Sequence, residues 1–273
     1  MVSEWIIDVC EYFNLHISTI HAAISYLDRL QPSEKFTRPQ WQMLAICCIL
    51  IASKYNECEE HVPDFATLEE ITQQPLANET VLSFELWALK KMAWQITTRT
   101  SISFLTCYLM SMEGLESIGE CQAPGAECFG KSRTDLNIHL RKKIYTYSTK
   151  VLLDCRFKKY LCSDISIGVL LYARKVCDIT PLWTDELTEI VQCDPFQSPK
   201  VEAIVSLICE LDGISTFENL VNIFTFAKNS ATLCGDLVTN KDKIDNNISP
   251  ISVAVSDINE GIVQTLADRD GMI

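Results

Sequence analysis

Lys54 and Glu85 are the two residues whose type and setting point to chemistry in this chain. Lys54 closes an apolar run, Met43 to Ala52, and is followed by the aromatic Tyr55. Glu85 lies between Leu82, Leu86 and Leu89 at helical spacing, where a carboxylate is costly unless it finds a partner. One reading is an edge glutamate, solvated or paired internally with Lys54 or Lys90. The other sets Lys54 and Glu85 as opposite charges at one end of a helical unit, ringed by Tyr55, Leu89, Trp94 and Ile96. A charge pair in an apolar ring is recognition chemistry, the pattern by which an interface specifies a partner.

Catalytic and metal patterns are not found. Cys47 and Cys48 are adjacent, and Cys121 and Cys128 have no second pair or neighbouring histidine at zinc spacing. His16, His21, His61 and His139 stand beside no nucleophile motif, and no phosphate-cradling glycine loop or GxSxG occurs. The expectation is a protein that is not an enzyme, with no metal and no cofactor.

The elements that must carry the pair are helices. Within Trp41 to Glu57, the run Met43 to Ala52 carries no charge, is too short for a bilayer span, and reads as the buried hub of a bundle. Pro39 suits its first turn. Trp5, Ile6, Val9, Cys10 and Phe13 predict a helix over 3–13, and Ile20, Ala23, Ile24 and Leu27 another, with Ser18 and Thr19 as candidate caps. A short helix follows from Asp64 to Thr72, then one from Glu79 to Ala93 with Leu82, Leu86, Leu89 and Ala93 inward. Ser198-Pro199 opens a further helix with Val201, Ile204, Val205, Ile208 and Leu211 inward, closed by Gly213.

The chain also repeats itself. Leu50-Ile51-Ala52-Ser53-Lys54 is followed by Pro63, Phe65, Glu70-Ile71-Thr72-Gln73, Pro75 and Val81. Leu171-Tyr172-Ala173-Arg174-Lys175 is followed by Pro181, Trp183, Glu189-Ile190-Val191-Gln192, Pro195 and Val201, about 120 residues later. This is the mark of a duplicated helical unit. At that offset Glu85 corresponds to Val205, so the second copy keeps a lysine and lacks the carboxylate. The glycine-rich stretch 113–137 reads as a linker or insertion, in which Arg133 to Leu136 spells a short RxxL degradation-type motif. Phe217 to Ala227 suggests one more helix, and the polar remainder reads as mobile.

Composition bounds the class. The chain has 273 residues and a net charge of −13, which argues against a general phosphate-binding surface and against anionic membranes. Met1 to Phe13 makes a poor signal peptide, because Asp8 and Glu11 interrupt it. Thirteen cysteines, many at apolar helical positions such as Cys10, Cys47, Cys48, Cys107 and Cys209, read as reduced thiols in a nuclear or cytoplasmic protein.

These residues together resemble a cyclin. Trp5 to Leu30, with its Tyr26-Leu27-Asp28-Arg29 signature, is similar to the first two helices of the family. Leu44 to Glu57 resembles its central helix, and Val81 to Ile96 its fifth, with Glu85 at the family's glutamate. The resemblance covers about 4–213, stronger in its first half. It implies an all-α fold of two tandem cyclin-like bundles of about five helices each: a first box over 1–100, a second over 101–213, and an extra helix and tail over 214–273. The first box is expected to be N-terminally truncated, since the chain begins inside the family's first-helix stretch.

What the resemblance implies functionally is a regulatory subunit that binds and activates a cyclin-dependent Ser/Thr kinase, in cell-cycle control. Lys54, Tyr55, Glu85, Leu89, Trp94 and Ile96 would be the kinase-binding residues. Trp5, Asp8, Trp41 and Gln42 would remain of a substrate-docking groove that serves kinase substrates or inhibitors. Asp28 would be structural, its usual arginine partner lying outside this chain. A cyclin-fold scaffold, or a transcription-related relative that activates no kinase, is the alternative; the acidic charge disfavours nucleic acid.

Overall fold

The computed structural model describes residues 2–30, 36–73, 75–113, 120–121 and 133–213. The chain divides into two units, 1–230 and 231–273, and the second lies outside the described residues. So do the predicted helix 217–227, the tail, and most of the glycine-rich stretch.

The first half holds α1 (Val2–Tyr12), α2 (Ile17–Leu30), α3 (Arg38–Asn56), α4 (Phe65–Thr72) and α5 (Asn78–Lys91). The second holds α6 (Ser101–Glu113), α7 (Arg133–Leu153), α8 (Cys162–Val176), α9 (Asp185–Val191) and α10 (Pro199–Asp212). One short antiparallel pairing, β1 (Glu120–Cys121) with β2 (Ile179–Thr180), is the only sheet among the described residues. The fold is all-α, with two tandem helical bundles.

Each bundle is built on a helix buried all round. In α3 every residue from Leu44 to Ser53 is buried, and in α8 every residue from Ile165 to Arg174. One apolar core gathers residues between Ile6 and Met92, and a second gathers residues between Ile102 and Cys209. α2 packs on α3 and also touches α6 and α7, so the halves meet along it. Ile17 reaches the second core and Leu152 the first.

The helix ends explain several boundaries. Pro39 lies in the first turn of α3, where Gln40 Oε1 accepts from the Thr37 amide at 2.8 Å. Asp64 caps α4 and Ser198 caps α10, and Gly213 ends α10 at φ 63°. Two expected caps are displaced. Ser18 and Thr19 lie inside α2, because Glu57 Oε1 accepts the His16 amide at 2.7 Å from the far end of α3. Arg133 to Leu136 is the first turn of α7 rather than a linker. Cys107 is exposed, whereas Cys10, Cys47, Cys48, Cys177 and Cys209 are buried.

Candidate functional site

Glu85 faces inward. The buried line of α5 is Val81, Glu85 and Ala88, continued by Met92, while Leu82 and Leu86 are exposed. The inward face is therefore turned by one residue from the line Leu82, Leu86, Leu89, Ala93. Leu89 is half-buried and Ala93 is exposed. A single position is about 100° of helix, so the leucines flank the glutamate instead of burying it.

The carboxylate is compensated by Lys54. The Lys54 ammonium donates to both Glu85 oxygens, at 2.7 and 2.8 Å. The Glu85 side chain is 8% exposed and that of Lys54 47%, so the pair forms a charged plug at the end of the first core. A buried charge is tolerated only when paired, and the ammonium still offers its outer side to a partner. Beneath the pair, burial first and then the Glu85 charge push the Cys47 thiol up to about 12, which leaves it protonated and inert.

The apolar residues around the pair are placed by the way α5 ends. Ala93 N–H donates to Lys90 O and Trp94 N–H to Leu89 O, two crossed bonds that close the last turn. This is a Schellman arrangement, in which the residue after the cap takes the left-handed conformation and glycine is preferred. Here Ala93 (φ 52°) and Trp94 (φ 59°) both take it, at roughly 1–2 kcal/mol each. The turn presents Trp94, 60% exposed, beside Leu89, and is followed by half-buried Ile96. Tyr55, itself 51% exposed, is tied to Thr97 by a hydroxyl contact of 3.0 Å. Lys54, Tyr55, Glu85, Leu89, Trp94 and Ile96 thus belong to one end of the first bundle.

Sequence reasoning missed the residues that fix this turn. Arg29 Nη1 donates to Gln95 O at 2.6 Å, and Tyr26 Oη to Ile96 O at 2.7 Å. Burial above all pushes the Tyr26 phenol up to about 12, so it remains a donor. Both residues stand in the Tyr-Leu-Asp-Arg signature, the one available signal.

A second surface feature lies between α1 and α3. A groove of about 490 Å³ is lined by Val2, Trp5, Arg38, Trp41, Gln42 and Ala45. Asp8 is exposed on α1 and is not in its wall. Asp28 does have a partner: Lys158 Nζ lies 2.5 Å from its Oδ1. No group of three or more metal-ligating side chains occurs among the described residues, and none of their helices is long and apolar enough to cross a membrane.

Comparison with known proteins gives one consistent answer. Residues 1–97 match the cyclin N-terminal domain family. A Cyclin-D of Ostreococcus tauri is 27% identical over 71% of this chain and 51% of its own length. Cyclin-A1-2 of Arabidopsis thaliana is 29% identical over 50% of this chain and 29% of its own. Cyclin-A1 of Xenopus laevis is 33% identical over 39% of this chain and 25% of its own. The chain thus spans about half or less of these relatives. Among solved structures, a viral cyclin from herpesvirus saimiri superposes with a TM-score of 0.58 at 19% identity, covering 77% of this chain and 83% of the other. A chain of the CAK complex of Chaetomium thermophilum bound to ATP-γ-S gives 0.51 at 10% identity, covering 90% and 80%. These two likenesses concern the fold alone.

Proposed function

The chain belongs to the cyclin family, and we propose that it is a regulatory subunit that binds and activates a cyclin-dependent Ser/Thr kinase. The observation that carries this reading is the Lys54–Glu85 plug. A carboxylate held in a core position by an ammonium that is itself half-exposed is a poor way to fill a core and a good way to offer fixed donors and acceptors. The exposed rings of Tyr55 and Trp94 add apolar area where α3 and α5 end, and Leu82 and Leu86 add more on the outward side of α5.

In this reading the first box, 1–100, holds the kinase, and the second, 101–213, supports it. The kinase backbone hydrogen-bonds to Lys54 and Glu85, and Tyr55, Leu89, Trp94 and Ile96 pack against its regulatory helix. That helix moves inward so that the kinase's own lysine–glutamate pair can form. The cyclin contributes no reacting group. Cell-cycle control is the proposed setting, with substrates or inhibitors held in the Trp5, Trp41 and Gln42 groove.

The test is binding of purified cyclin-dependent kinases to wild type and to the Lys54→Ala/Glu85→Val variant, with kinase activity measured on the complexes. Wild type is expected to bind and activate, and the variant to lose about 2–5 kcal/mol of binding. A variant that binds as tightly as wild type would overturn the proposal.

A further inference from the structure

We propose that Arg29, with Tyr26, is a positioning residue: it holds the turn 92–97 in its left-handed conformation, so that Trp94 is presented to the partner. The inference rests on reading this face as the kinase-binding one.

Three observations carry it. First, the turn is conformationally improbable. The other non-glycine left-handed positions among the described residues are Asn14, Gln73, Asp178 and Gln192, each isolated and polar. Only Ala93 and Trp94 are consecutive, and only here does a bulky aromatic take that conformation. Such strain persists only where the surroundings over-determine it.

Second, the surroundings are supplied from α2, about 65 residues away in sequence. The Arg29 guanidinium donates to Gln95 O at 2.6 Å, with a longer contact from Nη2 to Met92 O at 3.4 Å. Tyr26 donates to Ile96 O at 2.7 Å. Gln95 O and Ile96 O, which lie beyond the end of α5, receive the two short bonds, and Met92 O, which receives the longer one, also accepts the Gln95 N–H at 3.1 Å. A planar fork can bridge two carbonyls; an ammonium cannot do so with fixed geometry. The guanidinium also sets a positive charge at the C-terminal end of α5, the favourable sign for the helix dipole.

Third, Arg29 is exposed and Trp94 is 60% exposed, so neither is placed by core packing. The bonds from α2 do what packing does elsewhere.

Amide hydrogen exchange and kinase titration together test this, on wild type, Arg29→Met, Arg29→Lys, Trp94→Ala and the double variant Arg29→Met/Trp94→Ala. In Arg29→Met, amides of residues 93–97 are expected to exchange at least tenfold faster, with the centres of α2 and α5 unchanged and Arg29→Lys between the two. Kinase affinity is expected to fall about tenfold in Arg29→Met, and the double variant to be no weaker than Trp94→Ala alone. Adding Ala93→Gly to Arg29→Met restores part of the affinity, because glycine takes the left-handed conformation without a Cβ penalty. Unchanged exchange at 93–97, equal acceleration throughout α2 and α5, or fully additive losses of affinity would each overturn the proposal. A wild type that binds no kinase removes the docking reading and the presentation role with it, while the exchange arm still decides whether Arg29 holds the turn.

Discussion

Glu85 occupies in the first bundle the core place that Val205 occupies in the second. Both are buried, at 6% and 1% exposure, each four residues after a fully buried valine, Val81 and Val201. The duplicated unit therefore accepts a valine there without loss of fold. Glu85→Val is expected to leave stability unchanged or to raise it by up to about 1 kcal/mol, since a buried ion pair is often no better than an apolar replacement. Lys54→Ala should instead cost about 1–2 kcal/mol, because it strands the buried carboxylate; the half-exposed ammonium keeps the loss below that of a fully buried pair. Urea unfolding of the two variants checks the order. If Glu85→Val is the more destabilising, the pair is structural and the argument from the repeat fails.

His21 makes stability sensitive to acid. Its side chain is fully buried in α2, neither ring nitrogen has a hydrogen-bond partner, and burial pushes its pKa down to about 3. Above pH 6.5 the imidazole is neutral in folded and unfolded chains alike, and contributes no pH dependence. Below 6.5 the unfolded chain takes up a proton that the fold refuses until about pH 3. Stability falls through that window by about 1.4 kcal/mol per pH unit from this group. His21→Leu, which also removes two unsatisfied polar atoms, should flatten the slope between pH 6.5 and 5 in urea titrations. An equal slope in both proteins would place the acid sensitivity elsewhere.

Asp28 and Lys158 join the two bundles across 130 residues of sequence, but with 36% and 51% of their side chains exposed. Solvent screens such a pair, and its worth is about 0–1 kcal/mol. Lys158→Ala should lower the thermal midpoint by only a few degrees at low salt. The difference from wild type should shrink at 1 M salt, where the Debye length is about 3 Å. A large, salt-independent loss would instead show that the Lys158 stem packs at the junction.

These residues also show which signals a sequence carries. The all-round burial of α3, the existence of α4, the capped start of α10 and the glycine that ends α10 were legible, because each rests on neighbours within a few positions. The repeat was legible down to detail: Gln73 and Gln192, matched at the ends of the Glu70–Gln73 and Glu189–Gln192 segments, both end their helices in the left-handed conformation. The face of α5 was misread by one residue. Leu82 and Leu86 are apolar yet exposed, and an apolar residue outside is common enough that only the buried polar Glu85 was informative. The roles of Glu57 and Lys158 depend on partners 41 and 130 residues away, and nothing local announces them; that of Arg29, whose partner is 66 residues away, has only the Tyr-Leu-Asp-Arg signature to mark it.

Gly168 shows how closely the second bundle is packed. It lies within α8 where the repeat places Cys47 in α3, and both helices pack on the last helix of their bundle. In the first bundle the contact has room for a thiol, whose Sγ lies 3.9 Å from Val81 O. In the second a Cβ on residue 168 would meet Ile204 Cγ2 at 2.5 Å and its Cβ at 3.2 Å. Alanine is favoured over glycine within a helix by about 1 kcal/mol, so propensity alone predicts that Gly168→Ala stabilises. The close approach predicts the opposite, by about 1–3 kcal/mol, since Ile204 is fully buried and has nowhere to move. Overpacking should win, and Gly168→Ala should lower the urea midpoint. Ile204→Ala removes the Cγ2 that meets residue 168, which valine would retain, and should cost about 2–5 kcal/mol alone. Combined, the two should be less destabilising than their sum, a coupling that a double-mutant cycle reads directly. Simple additivity would mean that α8 and α10 separate to admit the methyl group, and that the contact between them is looser than 2.5 Å implies.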